Sequence, residues 1–172
     1  MKYSFIIPVY NRPQEIRELL ESISKLEGNI LFVVVVIEDG SNLGSKQIID
    51  EFRPGINISY FYKDNSGPGD SRNYGMNRAS GDYFLILDSD CVLPSYYLIN
   101  VDSGLNRHYT DCFGGPDAAH SSFSRLQKGI NFAMTSFLST GGIRGSERAR
   151  KSFQPRSFNM GLSKKAFLST GG

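Results

Sequence analysis

Apolar runs and helical stripes alternate along the first half of the chain. "YSFIIPVY" (3–10) predicts a buried strand ending near Pro8. Asn11 follows as an N-cap residue with Pro13 in the first turn, and Ile16, Leu19, Leu20 and Ile23 recur at helical spacing. "ILFVVVVIED" (30–39) is β-branched and continuously apolar, as a strand covered on both faces would be. The turn "GSNLGS" leads into a short helix through Ile48, Ile49 and Phe52, and "INISYFY" (56–62) alternates as a third strand. "NSGPGDSRNYGMNRASG" (65–81) starts Gly-rich and then predicts a helix, and "DYFLILD" (82–88) a fourth strand.

Strand–helix–strand repeated three times implies parallel crossovers, so the predicted fold class is α/β with a mostly parallel central sheet flanked by helices. Beyond residue 94 the pattern loosens. It predicts a helix near 95–107, a short strand at 110–114, a helix near 123–138, a basic loop, and a last strand at 157–163 followed by a helical turn. "FLSTGG" occurs at 137–142 and again at 167–172 without a fixed period around it, so it is not repeat architecture.

Composition narrows the class. With 172 residues, 40% hydrophobic and 21% charged, the chain suits one globular domain with a proper core. The apolar run that opens "ILFVVVVIED" is far short of a membrane span, and the N-terminus does not read as a signal peptide. Cys91 and Cys112 form neither a disulfide framework nor a zinc pattern, which points to a reducing, cytoplasmic setting. The net charge of +2 hides an asymmetry, with acidic excess in residues 1–90 and basic excess in 91–172. "IRGSERARKSFQPR" (143–156) reads either as a solvated loop or as a patch for a diphosphate or an anionic membrane surface. It lacks the interleaved aromatics of a nucleic-acid binder.

Ligands of such sheets bind beyond the carboxyl ends of the strands. Three of the four predicted strand ends carry carboxylates: Glu38-Asp39, Asp64, and Asp88-Ser89-Asp90. Gathered acids need a cation among them. Mg²⁺ or Mn²⁺ takes one or two carboxylates and completes its shell with substrate phosphates. Arg72 and Arg78 on the third helix could offset a diphosphate, and Gly67 and Gly69 would let a ligand approach the N–H groups at that helix start.

The ordered segments "FIIPVYNRP", "VVVIEDGS", "NSGPGDSRNYGMNRASGDYFLILDSDCVLP" and "FNMGLSKKAFLSTGG" resemble family 2 glycosyltransferases of the GT-A fold over nearly the whole chain. The resemblance implies one GT-A domain over 1–172, with a nucleotide-binding half at 1–94 and an acceptor-side half at 95–172 that continues past Gly172. It implies transfer of a sugar, with inversion, from a nucleoside diphosphate sugar (UDP most commonly) to a saccharide or lipid-linked acceptor of bacterial surface polysaccharide. It further implies work in the cytoplasm or at the inner membrane face, with peripheral membrane association and no nucleic-acid partner.

Carried over by position, Pro8, Tyr10 and Asn11 would line the nucleoside pocket, Asp39 would bond the base, and Arg72 would approach base or diphosphate. Asp88 would meet the ribose or the metal shell, and Asp90 would bind the metal. Glu38 stands where the family's acidic loop usually has Asp. Gly115, Asp117, Asn159 and Met160 would face the donor sugar and acceptor, while His108 and His120 read as structural or surface residues. An inverting transfer needs a carboxylate base. The family takes it from a Glu-Asp pair just after the segment resembling "KKAFLSTGG", so the base is expected beyond Gly172, with Asp117 a weak candidate within the chain.

Two other readings stay open. "DSDCV" also fits a haloacid dehalogenase-like phosphatase, although there the motif follows the first strand and a later acidic pair is required. A non-catalytic nucleotide-binding module would carry the same strand ends. Dinucleotide-binding and nucleotidyltransferase folds are excluded, because "PVYNRPQE" has no glycine.

Overall fold

The computed structural model describes residues 1–115 and 159–171, together with positions 126, 129 and 132. The predicted helix near 123–138 therefore lies almost wholly outside the described residues, although those three positions are helical. The first copy of "FLSTGG", the basic stretch 143–156, Asp117 and His120 lie outside them too.

Six strands form one mixed sheet. In chain order the elements are β1 (Tyr3–Val9), α1 (Pro13–Ile23), β2 (Phe32–Asp39), α2 (Lys46–Phe52), β3 (Ile58–Lys63), α3 (Pro68–Arg78), β4 (Tyr83–Leu87), α4 (Tyr97–Arg107), β5 (Cys112–Gly114), β6 (Asn159–Ser163) and α5 (Lys164–Thr170). The spatial order is β3-β2-β1-β4-β6-β5. The first four are parallel, as the alternating pattern requires, and β6 joins antiparallel between β4 and β5.

The continuous apolar runs are explained by two cores. Along β1, Tyr3, Phe5, Ile7 and Val9 face a layer containing Ile16, Leu19 and Leu20 of α1, Ile49 of α2, and Leu98 and Leu105 of α4. Ile6 faces the opposite layer with Met76 of α3 and Phe167 of α5. β2 divides the same way, Val34 and Val36 to one side and Val33, Val35 and Ile37 to the other. A strand covered on both faces has no polar face to present.

The packing of α3 on the sheet depends on Gly75. A Cβ there would lie 2.5 Å from Ile37 Cδ1 and 3.0 Å from Ile6 Cγ2. Both isoleucines are fully buried and cannot swing away. Gly75→Ala is expected to destabilise the fold by about 1–3 kcal/mol, the usual cost of overpacking, read as a lower denaturant midpoint at unchanged slope.

The N-terminus of α1 departs from expectation. Arg12, not Asn11, is the cap residue, and no side chain caps the helix. Asn11 adopts the left-handed region with φ of 53°. Its Oδ1 is committed across the sheet edge, accepting from Asn42 N at 2.8 Å and Leu43 N at 3.0 Å, while its own N–H donates to Ser41 Oγ at 2.8 Å. One Asn side chain cannot satisfy those two donors and cap its own helix as well. Pro13, which has no N–H to satisfy, opens the helix instead.

Candidate functional site

Two crossovers add β2 and β3 on one side of β1 and the third returns the chain to β4 on the other, which makes β1/β4 the point where strand order reverses. In open α/β sheets a crevice forms there, beyond the carboxyl ends. A cleft of about 450 Å³ lies at that place, lined by Pro8, Tyr10, Arg12, Asp39, Asn65, Gly67, Pro68, Arg72, Asp88, Ser89 and Asp90. Of the residues expected at the nucleotide, Pro8, Tyr10, Asp39, Arg72 and Asp88 line it, as does Asp90. Asn11 does not; it ties the β1 end to the loop after β2 and so shapes the wall from behind.

Each cleft carboxylate has its own cation. Asp39, 3% exposed, accepts Lys63 Nζ on Oδ1 at 2.6 Å. The same carboxylate takes the N–H of Ser66 at 3.0 Å and of Gly67 at 2.9 Å. Burial would raise its pKa, but the Lys63 ammonium and these N–H groups outweigh burial and hold the carboxyl below the usual range. Arg72 Nη2 meets Asp88 Oδ1 at 2.6 Å, and Arg12 Nη1 meets Asp90 Oδ2 at 2.8 Å. The first pair is sheltered on its arginine side, whereas the second is half exposed on both. Arg72 Nε is buried and finds no partner among the described residues.

Four expectations change. Glu38 does not face the cleft. It is fully buried and gathers Ser41 Oγ, Ser45 N (2.8 Å), Ser45 Oγ and Tyr60 OH (3.4 Å) around its carboxylate. The extra methylene relative to Asp lets it reach that inner network. Arg78 is not beside Arg72: it lies 3.4 Å over the Tyr74 ring at the far end of α3, where its charge stabilises the helix terminus and the aromatic face. The N–H of Gly67 at the start of α3 is not open to a ligand, because Asp39 already accepts it. Asp64 is exposed, and its carbonyl rather than its carboxylate meets Lys63.

On the other side, Gly115 N donates to Asn159 O at 3.0 Å, which joins the ends of β5 and β6. Both residues line a second, more apolar cavity of about 550 Å³ with Leu93, Tyr97, Leu105 and Phe113. His108, also at its edge, is exposed and pairs with Arg107 O at 3.3 Å, in keeping with a surface role. Met160, one residue on, points to the opposite face and packs with the Phe84 and Phe167 core.

Sequence reading passed over Arg12 and Pro68, and placed Asn65 and Ser89 at strand ends without giving them a role. Arg12 had a legible signal: it is the only cation directly following the first strand end, opposite an acidic fourth strand end. An all-oxygen set of Asp88 and Asp90 suits a hard divalent cation. Among the described residues no group of three or more His, Cys, Asp or Glu could hold a metal, and Mg²⁺ or Mn²⁺ commonly completes a shell of one or two carboxylates with substrate phosphates and water.

Comparison with known proteins places this geometry. The chain is 33% identical over 114 residues to the poly(ribitol-phosphate) beta-N-acetylglucosaminyltransferase TarS of Staphylococcus aureus, over 64% of this chain and 20% of that protein. It is 38% identical over 99 residues to the glycosyltransferase GlyA of Streptococcus pneumoniae, over 56% of this chain and 14% of the relative. The chain thus spans a minor part of these relatives' length. Among solved structures, S. aureus TarS 1-349 in complex with UDP-GlcNAc superposes with a TM-score of 0.75 at 24% identity, covering 99% of this chain and 48% of that one. The mannosyltransferase PcManGT of Pyrobaculum calidifontis, in complex with GDP-Man and Mn2+, gives 0.70 at 16% identity, covering 99% and 46%. At those identities the superpositions establish the GT-A fold alone. The family model for Glycosyl transferase family 2 matches residues 4–167, from β1 into α5 and across every strand end that builds the cleft: the chain belongs to that family.

Proposed function

We propose that the β1/β4 cleft binds a nucleoside diphosphate sugar with a divalent metal, Mn²⁺ or Mg²⁺, and that the protein transfers the sugar with inversion to an acceptor hydroxyl. The observation that carries this reading is the single cleft in which Tyr10, Asp39, Arg72, Asp88 and Asp90 converge. Pro8 and Tyr10 would offer an apolar, aromatic wall to the base. Asp39 would accept a hydrogen bond from the base, its Oδ2 being shared so far with the Gly67 N–H. A carboxylate acceptor suits the ring N–H of uracil, thymine or guanine and repels the ring nitrogens of adenine and cytosine. UDP is the favoured donor nucleotide, since a relative is named as an N-acetylglucosaminyltransferase and its fold neighbour holds UDP-GlcNAc.

Asp90 would hold the metal, Asp88 the ribose or the metal shell, and Arg72, which lines the cleft, the diphosphate. When bound, the metal would offset negative charge that builds on the leaving diphosphate. In the transfer, the acceptor oxygen bonds the anomeric carbon as that carbon's bond to the diphosphate oxygen breaks. The bonding pair leaves with the diphosphate and the acceptor proton passes to a base. Asp39, Asp88 and Asp90 are each engaged by a cation, so none is placed to take it. We assign the base to a Glu-Asp pair C-terminal to Gly172. Gly115, Asp117, Asn159 and Met160 remain the acceptor-side candidates, with Met160 acting only through packing.

A surface polysaccharide, lipid-linked or not, is the proposed acceptor, by analogy with the poly(ribitol-phosphate) in a relative's name. The proposed place of work is the cytoplasm at the inner membrane face. Among the described residues no helix is long and apolar enough to cross a membrane. The phosphatase alternative is set aside by the family match.

Thermal melting with UDP, GDP and dTDP, each with and without Mn²⁺ and with ADP and CDP as controls, tests the reading. Ligand binding to the native state should raise the melting temperature by mass action, most with UDP and Mn²⁺ together. No shift with any of the first three would refute a donor site. Stabilisation by UDP with no sugar transfer by the full-length protein would favour the non-catalytic module.

A further inference from the structure

We propose that Arg12 exchanges partners on donor binding, holding Asp90 while the metal is absent and turning to the donor's diphosphate once the metal takes Asp90. The inference rests on the donor-site reading above and adds a residue to it.

The two arginine–aspartate pairs of the cleft are unequal. Arg72 is 14% exposed and Asp88 39%, whereas Arg12 and Asp90 are 50% and 53% exposed. The Arg12–Asp90 contact joins residues 78 apart through one hydrogen bond of 2.8 Å, with Asp90 Oδ1 outside it. Exposed single-bond pairs of this kind are weak, and a divalent ion displaces a monovalent guanidinium from a carboxylate readily. Among the described residues the Arg12 side chain hydrogen-bonds Asp90 alone: Arg12 is the cap residue of α1 by its backbone, and its side chain makes no cap bond. Its guanidinium can therefore leave Asp90 without disturbing the helix, and it already lines the cleft.

Charge counting gives the destination. In the empty cleft Asp88 and Asp90 are balanced by Arg72 and Arg12. A divalent ion and the two negative charges of a bound nucleoside diphosphate sugar add nothing net. With the metal offsetting the two carboxylates, Arg72 and the displaced Arg12 are the cations lining the cleft that face the two diphosphate charges, and both have planar donors suited to phosphate oxygens.

The test pairs Arg12→Ala and Arg12→Lys with the wild type in two titrations. Mn²⁺ alone is followed by loss of the free-ion paramagnetic resonance signal. UDP in saturating Mn²⁺ is followed by calorimetry. Arg12→Ala should bind Mn²⁺ alone about two- to five-fold more tightly, because its competitor is gone. It should bind UDP about ten-fold more weakly, the scale of one charge-assisted hydrogen bond. Arg12→Lys should fall between on both. A general structural role would weaken both or neither. Unchanged or weaker Mn²⁺ binding in Arg12→Ala overturns the exchange, and so does unchanged UDP binding while the wild type binds UDP normally. Absence of UDP binding by the wild type would instead overturn the donor-site reading, and the exchange with it.

Discussion

Replacing Asp39 with alanine is expected to lower the unfolding free energy by about 3 kcal/mol, the lower end of the cost of removing one partner from a buried ion pair. The lower end applies because Lys63 keeps a second, exposed carboxylate, Asp70, at 3.4 Å. The variant also strands the N–H groups of Ser66 and Gly67, which Asp39 alone accepts at the start of α3. For a chain of this size the melting temperature should fall by about 6–12 °C. The acid limb supplies an independent check. Because the folded carboxyl titrates below its ordinary value, its stabilisation is present above about pH 3.9 and is lost as pH falls through the lower, folded value. Asp39→Asn should therefore be less stable than wild type at neutral pH and lose less stability as pH falls below about 4. Parallel acid limbs for the two proteins would show that Asp39 is not held ionised by Lys63.

Asp90→Asn carries the second large effect, on binding rather than on folding. Asp90 is half exposed and, among the described residues, bonded to Arg12 alone, so its loss should leave the melting temperature nearly unchanged. It should cut UDP affinity in Mn²⁺ by about 100-fold, the scale of a lost metal-to-phosphate bridge, while affinity in EDTA stays close to wild type. Asp88→Asn should weaken both conditions, because Asp88 also positions Arg72 through the 2.6 Å contact. An equal fall for Asp90→Asn with and without metal would mean that Asp90 meets the nucleotide directly and holds no ion.

Much of this was legible in the sequence, for identifiable reasons. Continuous β-branched runs such as 32–37 fix parallel strands covered on both faces, and parallel strands put their polar ends at one edge. Hence Pro8, Tyr10, Asp39, Asp88 and Asp90 gather at strand ends, Arg72 comes in from the third helix, and all six share one cleft, whereas Asn11 at the first strand end does not line it. The strands at 110–114 and 157–163 were legible as strands, but not the insertion of β6 between β4 and β5. Strands of 3 and 5 residues carry too little alternation to specify their neighbours.

Side-chain direction was the other gap. Glu38 and Asp39 are adjacent, and strand parity sends one carboxylate into an inner serine network and the other to the cleft edge. Composition treats them as equivalent acids. Asn11 has every property of a helix cap, yet its left-handed backbone turns the same oxygen toward Asn42 and Leu43. Pairings such as Arg12 with Asp90 depend on β1 and β4 lying side by side, which local sequence does not encode.

The central claim is that a nucleoside diphosphate sits at the β1/β4 crevice, and hydrogen exchange of the backbone with and without UDP and Mn²⁺ tests it most directly. Slowed exchange should appear in residues 9–12, 65–72 and 88–91, which border the cleft from three different elements, and the β3 edge strand at 58–62 should be unaffected. Saturable binding with protection confined to segments away from those three would place the nucleotide elsewhere and contradict the claim.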